Sequence, residues 1–254
     1  MPVSSNTLFH FTDSMDNLVS ILKNDFRPHF SLEDLNSIMP EGEESQDLIF
    51  AIPMVCFCDI PLSQTQSHMD VYGHYAIGLS KKSGEANGVC PVLYTYPKAL
   101  LARRLRQLIE IIARLHNTTD DNPLMDGFHD VSCYIKPYEG ILKDTEGSDA
   151  RVRFYDEREW RYVSTLGKES FRYGFAKEGF KSPEAKDAAN RHLWTQDQLI
   201  FEPNDIKYLI VKTEDEILQL IAKVEAIKTD RYLPEDVKLL TSRVISAELI
   251  KSDF

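Results

Sequence analysis

The sequence predicts an α+β fold, and three features of it carry that prediction. Short apolar or alternating runs of strand length, rich in β-branched and aromatic residues, recur between turn residues along the chain. Stripes of apolar residues at helical spacing stand between some of these runs. The two kinds neither alternate strictly, as in a doubly wound sheet, nor separate into blocks.

In chain order, the first strand is "LFHFT" (8–12), with Phe9 and Phe11 on one face and His10 and Thr12 on the other. Asp13 or Ser14 can cap the helix that follows, whose Leu18, Ile21 and Leu22 form a stripe ending near Asn24, before the "FRP" turn. An acidic loop is expected at "MPEGEESQDL" (39–48), then strands at "MVCFCDI" (54–60), "YAIGLS" (75–80) and "PVLYTY" (91–96). A helix over about 98–116 carries the stripe Leu101, Leu105, Leu108, Ile112 and Leu115. Strands follow at "VSCYIKPY" (131–138) and, after the acidic loop "KDTEGSDA" (143–150), at "REWRYVS" (158–164). The stretch 177–198 reads as a loop carrying a short helix, 206–212 as a strand, 217–227 as a helix and "KLLTSRVIS" (238–246) as a strand. No repeat or linker-like composition interrupts the chain, so residues 1–254 are expected to form one domain.

With 254 residues, 43% of them hydrophobic, the chain can bury a substantial core. A net charge of -11 argues against indiscriminate binding to nucleic acid or anionic membrane, because the mean field repels phosphate. The four cysteines are too few for a disulfide scaffold, and no apolar stretch approaches the ~20 residues of a membrane span. The N-terminus lacks the basic start and apolar run of a signal peptide, so a reduced, cytoplasmic protein is expected. The chain holds no G-x-G-x-x-G, no G-x-x-x-x-G-K-[ST] and no G-x-S-x-G, which leaves Rossmann, P-loop and hydrolase-elbow chemistry unsupported. Cys56-x-Cys58 has no second ligand pair, and His68 and His74 do not align on a helix, so no metal site is expected.

Read as a strand, 154–163 places Glu157, Glu159 and Arg161 on one face, opposite Arg158, Trp160 and Tyr162. Alone this pattern is an edge strand with an ion-pair ladder in solvent. A strand beginning "HFT", a helix with "NLVSIL", a later "CFCDIPL" and a late "E-x-E-W-R" strand together resemble the ADP-ribosyltransferase superfamily. More narrowly, "VCFCDIPLSQTQSHMDVYGHYAIGLSKKSG", "DEREWRYV", "NDIKYLIVKTEDEI" and "SRVISAELIKSDF" resemble the AbiGi family of abortive phage-resistance proteins.

The superfamily resemblance implies a split mixed β-sheet with flanking helices and a cleft for NAD as substrate. It implies that His10 and Thr12 contact the nucleotide, that Glu159 is the catalytic carboxylate, and that Glu157 serves the acceptor. Phe11 or Tyr75 could pack on nicotinamide, and between Tyr72 and Tyr75 the middle aromatic position stays open. Such a carboxylate would stabilise an oxocarbenium-like state. Arg27, Arg151 and Arg153 are the nearest basic candidates for the diphosphate. The helix over 98–116 carries Lys98, Arg103, Arg104, Arg106 and Arg114, which is either a solvated basic face or, through Arg103, Arg104 and Arg106, a track for a nucleic-acid acceptor. The expected function is therefore an NAD-dependent ADP-ribosyltransferase, the effector of a phage-defence or toxin–antitoxin module, acting on nucleic acid or protein. The competing expectation is a non-catalytic antitoxin or regulatory module on the same fold, partnered by a toxin, an antitoxin or a phage-derived trigger. A metal-dependent hydrolase would need His10, His74 and a carboxylate to converge.

Overall fold

The computed structural model describes residues 4–35, 49–115, 123–143, 149–164 and 182–253, which have the expected mixed α+β composition. The first elements are β1 (Thr7–Thr12), α1 (Met15–Asn24), β2 (His29–Asp34), β3 (Ile49–Cys58), α2 (Gln66–Tyr72), β4 (Tyr75–Ser80), α3 (Lys81–Ala86), β5 (Cys90–Pro91) and β6 (Leu93–Thr95). Next come α4 (Leu100–Leu115), α5 (Pro123–Ser132), β7 (Ile135–Pro137), β8 (Gly140–Lys143), β9 (Asp149–Val152), β10 (Glu159–Val163) and α6 (Pro183–Trp194). The chain ends in β11 (Ile206–Val211), α7 (Ile217–Lys228), α8 (Pro234–Thr241), β12 (Val244–Ser246) and α9 (Ala247–Asp253). Among the described residues no helix is long and apolar enough to cross a membrane.

The chain divides into two compact units. One comprises Met1–Arg27, Val55–Cys90 and Asp197–Phe254. Its sheet runs β12-β11-β4-β1 and then the end of β3, with β1 antiparallel to β4 so that His10 faces Ile77 and Thr12 faces Tyr75. One side of this sheet is covered by Phe9, Cys58, Ile60, Met69, Ile210 and Ile250. Leu18 and Leu22 of α1 and Leu220 and Val224 of α7 are all buried, each gaining roughly 1.5–3 kcal/mol from leaving water. Ser14 caps α1 by accepting the Asn17 N–H, and Asp16 in the first turn and Lys23 in the last complement the helix dipole. Asp59, the acid of "CFCDI", anchors the N-terminal segment: it accepts from the Ser4 hydroxyl (2.8 Å), the Ser5 N–H (2.9 Å) and the Lys81 ammonium (2.7 Å).

One expected element of this unit changes type. The run 238–246 is not a single strand, because α8 extends to Thr241 and only Val244–Ser246 pairs with β11. Pro234 opens that helix, Glu235 and Asp236 fill its first turn, and Val237 and Leu240 bury at a helical spacing of three. Those signals lie just upstream of the apolar run that suggests a strand.

The other unit comprises Pro28–Met54 and Pro91–Gln196. Here β2 lies antiparallel to β3, from His29↔Met54 to Asp34↔Ile49, and the Ser164 N–H beyond β10 donates to the Pro53 carbonyl. β6 pairs in parallel with β7, and β8 with β9 as antiparallel strands. Leu101 and Leu105 of α4 pack with Leu35, Ile135 and Phe128. Leu193 of α6 packs with Phe30 and Ala51, while Asn190 accepts the Phe30 N–H and Trp194 donates to the Pro28 carbonyl. The helix expected within 177–198 is thus present as α6. The expected loop at 39–48, and residues 144–148 of the one at 143–150, lie outside the described residues.

The strand at 131–138 is shorter than expected, and the strand expected at 158–164 is present as β10, so only the wider reading of 154–163 as extended is cut back. Residues 131–132 close α5, with the Ser132 hydroxyl donating back to the Phe128 carbonyl, and the strand begins only at Ile135. Within 154–163, Phe154–Glu157 is a 3-10 turn and Arg158 sits in the left-handed region (φ 46°), so extended backbone starts at Glu159.

Candidate functional site

Among the described residues, a cluster of buried charge lies in the second unit. Glu159 and Arg161 alternate on the inward face of β10, where Glu159 is 5% exposed and Arg161 fully buried. Lys136 stands between the buried Ile135 and Pro137 on β7, so strand alternation turns it away from their side. Its ammonium lies 2.5 Å from Glu159 Oε2 and 2.6 Å from Glu157 Oε2. Arg161 donates from Nε to Glu159 Oε1 (2.6 Å) and from Nη1 to the Cys133 carbonyl (2.8 Å), and its Nη2 lies 2.9 Å from Glu33 Oε2 on β2. The order Glu157–Lys136–Glu159–Arg161–Glu33 therefore alternates three carboxylates with two cations. The left-handed turn at Arg158 brings Glu157 back onto the lysine that Glu159 also holds.

Burial alone would raise the Glu159 pKa, yet the adjacent Arg161 and Lys136 charges outweigh it and hold the carboxyl down at about 2. Burial likewise works against the Lys136 ammonium, but Glu159 and Glu157 keep its pKa above the ordinary lysine value. The phenol of Tyr94 accepts the Glu159 N–H (2.8 Å), and Lys136 stands 4.9 Å over the Phe154 ring. Both oxygens of Glu159 are thus engaged by protein cations in a site shielded from water. Such a carboxylate is a poor base and a poor stabiliser of a cation arriving from solvent. Sequence reasoning places Glu157, Glu159 and Arg161 on one face, and they do converge, but on each other and on Lys136 rather than on solvent. Lys136, Glu33 and Tyr94 are missed by it. The one available signal was a lone lysine in an apolar strand, "YIKPY".

The nucleotide-binding candidates lie in the first unit. His10 is half-buried, with its ring edge-on to Phe26 (5.4 Å) and Phe57 (5.8 Å). Its Nδ1 donates to the Cys56 carbonyl (2.8 Å), which leaves Nε2 as the acceptor nitrogen. Phe11 lies 5.7 Å from the His68 ring, and His68 lies 5.0 Å from the exposed Tyr72. Tyr75 is buried and donates to Glu216 Oε1 (2.9 Å), and burial with that carboxylate raises its phenol to about 12. Thr12 ends β1 opposite Tyr75, and Gly73 abuts its carbonyl. Arg151 pairs with Glu139 and Arg153 with Asp156, all exposed, while Arg27 is half-buried. On α4, Arg103 and Arg104 are exposed and Arg106 half-buried. Among the described residues no group of three or more His, Cys, Asp or Glu side chains could hold a metal.

His10 supplies a pH dependence whose sign follows from its surroundings. Burial lowers its pKa from 6.5 more than the Cys56 hydrogen bond raises it, so the folded ring stays neutral where the unfolded one binds a proton. Stability is then complete above about pH 6.5 and falls as the pH drops through that value. Melting temperature measured from pH 8 to 5.5 should decline below pH 6.5, and His10→Gln, which keeps a donor for Cys56, should flatten the decline. A wild-type protein with no decline over that range would place the ring in water instead.

The model of one protein family, described as "Putative abortive phage resistance protein AbiGi, antitoxin", matches residues 41–212. The "Abortive phage resistance protein AbiGi" of Lactococcus lactis subsp. cremoris is 26% identical over 247 residues, covering 90% of this chain and 99% of that protein. No solved structure matches the chain. The expectation of an NAD-dependent ADP-ribosyltransferase is overturned by the family's description as an antitoxin, which names a non-catalytic role. With a family match over more than half of its length and a relative aligned along nine tenths of it, the chain belongs to the AbiGi family.

Proposed function

We propose that this protein is a non-catalytic antitoxin, a binding module of an abortive-infection system that restrains a cognate toxin by direct contact. The observation that carries the reading is the closure of Glu159, whose two oxygens are held at 2.5 Å and 2.6 Å by Lys136 and Arg161. A carboxylate so paired and buried serves the integrity of the fold rather than turnover. The family's description as an antitoxin in phage resistance supports the same reading. Expressed alone, the chain should leave growth unaffected. Expressed with its cognate toxin, it should restore growth and co-elute with the toxin. Growth arrest caused by this chain alone and relieved by Glu159→Gln would overturn the reading.

A further inference from the structure

The apolar arc of helix α4 is wider than the part of it that the fold covers. Its inward residues Leu101, Ala102 and Leu105 are covered, with Leu101 and Leu105 packed among Leu35, Ile135 and Phe128. On the flank adjoining these residues, Leu100 is 60% exposed, Leu108 48% and Ile111 52%. At ~100° per residue these three fall within one quadrant of the helix, and Arg103, Arg104 and Gln107 border or interleave with them. A surface helix normally keeps its outward face polar, so clustered exposed leucine and isoleucine mark a contact surface. The charge of this face is the second observation. Arg103 and Arg104 are both exposed there, with Arg104 donating to Gln107 Oε1 (2.6 Å), and they place two positive charges beside the exposed apolar residues in a chain of net charge -11.

Resting on the antitoxin reading, we propose that the outward face of α4 docks an acidic, amphipathic surface of the toxin. Leu100, Leu108 and Ile111 would seat against its apolar residues, and Arg103 and Arg104 would meet its carboxylates. Arginine suits this position, because its planar fork pairs with carboxylates in two hydrogen bonds and its weak hydration lowers the cost of entering an interface. Complementary charge would also speed encounter between the partners. Nucleic acid fits the face less well. Phosphates reward cations and leave three exposed aliphatic side chains with nothing to cover them.

Two double variants of the full chain separate the contributions: Leu100→Glu with Ile111→Glu, and Arg103→Glu with Arg104→Glu. All four positions are exposed, so melting temperatures should stay within a few degrees of wild type. Calorimetric titration with the purified toxin should show each pair weakening affinity about tenfold or more, and growth rescue should fail in parallel. Raising salt should weaken wild-type binding more steeply than that of the arginine pair. Unchanged toxin affinity in both variants would overturn the docking surface while leaving the antitoxin reading intact, whereas a wild-type protein that neither binds nor neutralises the toxin would overturn both. Tight binding of a 20-base-pair DNA or RNA duplex that is lost with the arginine pair but kept with the leucine–isoleucine pair would overturn the proposal in favour of nucleic acid.

Discussion

Replacing Arg161 with methionine is expected to destabilise the protein by about 3–5 kcal/mol, the scale for breaking a buried ion pair from one side. Its guanidinium is fully buried and meets Glu159, Glu33 and the Cys133 carbonyl. Without it, Glu159 keeps only Lys136, which already serves Glu157, and the carbonyl loses its donor. The remaining charge would have to take up a proton or draw water into a packed interior, and both are costly. Removing Glu159 as well should recover part of the loss, because no carboxylate is then left buried beside the missing guanidinium, although Glu33 and the Cys133 carbonyl still lose their partner. Urea unfolding of Arg161→Met and of Arg161→Met with Glu159→Leu checks this, the double variant being the more stable of the two. If the double variant still neutralises the toxin, the carboxylate has a structural part and no chemical one. A loss under about 1 kcal/mol in the single variant would place the network within reach of solvent.

The elements read correctly from sequence are those whose own periodicity carries the signal. β1, β4 and β11 are short alternating or apolar runs, and α1 and α7 present apolar residues at helical spacing behind recognisable ends. Where a run contains a local backbone reversal, periodicity misleads. "FYDEREWRYV" scans as one strand because Arg158 carries a side chain rarely found in the left-handed region, and nothing in its neighbours announces the turn. The ion network was half legible. Glu157, Glu159 and Arg161 are near neighbours in sequence, but Lys136 and Glu33 arrive from other strands, and only the fold brings them together. His10 and Thr12 share one face of β1, as their spacing places them, but the two phenylalanine rings and the backbone carbonyl that His10 meets come from other segments and are not written beside it in the sequence.

Gly73→Ala should cost about 2–4 kcal/mol, more than any other single methyl group added to a glycine in this unit. The residue ends α2 with φ at 104°, a conformation that L side chains rarely adopt. An added Cβ would also press into the Thr12 carbonyl and the Asp13 Cα, which are backbone atoms that cannot swing aside as a side chain can. Relief requires moving the start of β4 away from the end of β1, where Thr12 pairs with Tyr75. Such a shift would also disturb the hydrogen bond from Tyr75 to Glu216, so part of the cost should appear as a lowered phenol pKa. Gly88 separates the two contributions. It too has positive φ, at 79°, but nothing lies within 4 Å of an added Cβ, so Gly88→Ala should pay only the backbone cost of about 1–2 kcal/mol. Urea unfolding of the two variants measures the difference. Equal losses would mean that the conformation alone sets the cost and that the Thr12 carbonyl yields freely; a larger loss at Gly73 would locate a tight backbone contact at the junction of β1 and β4.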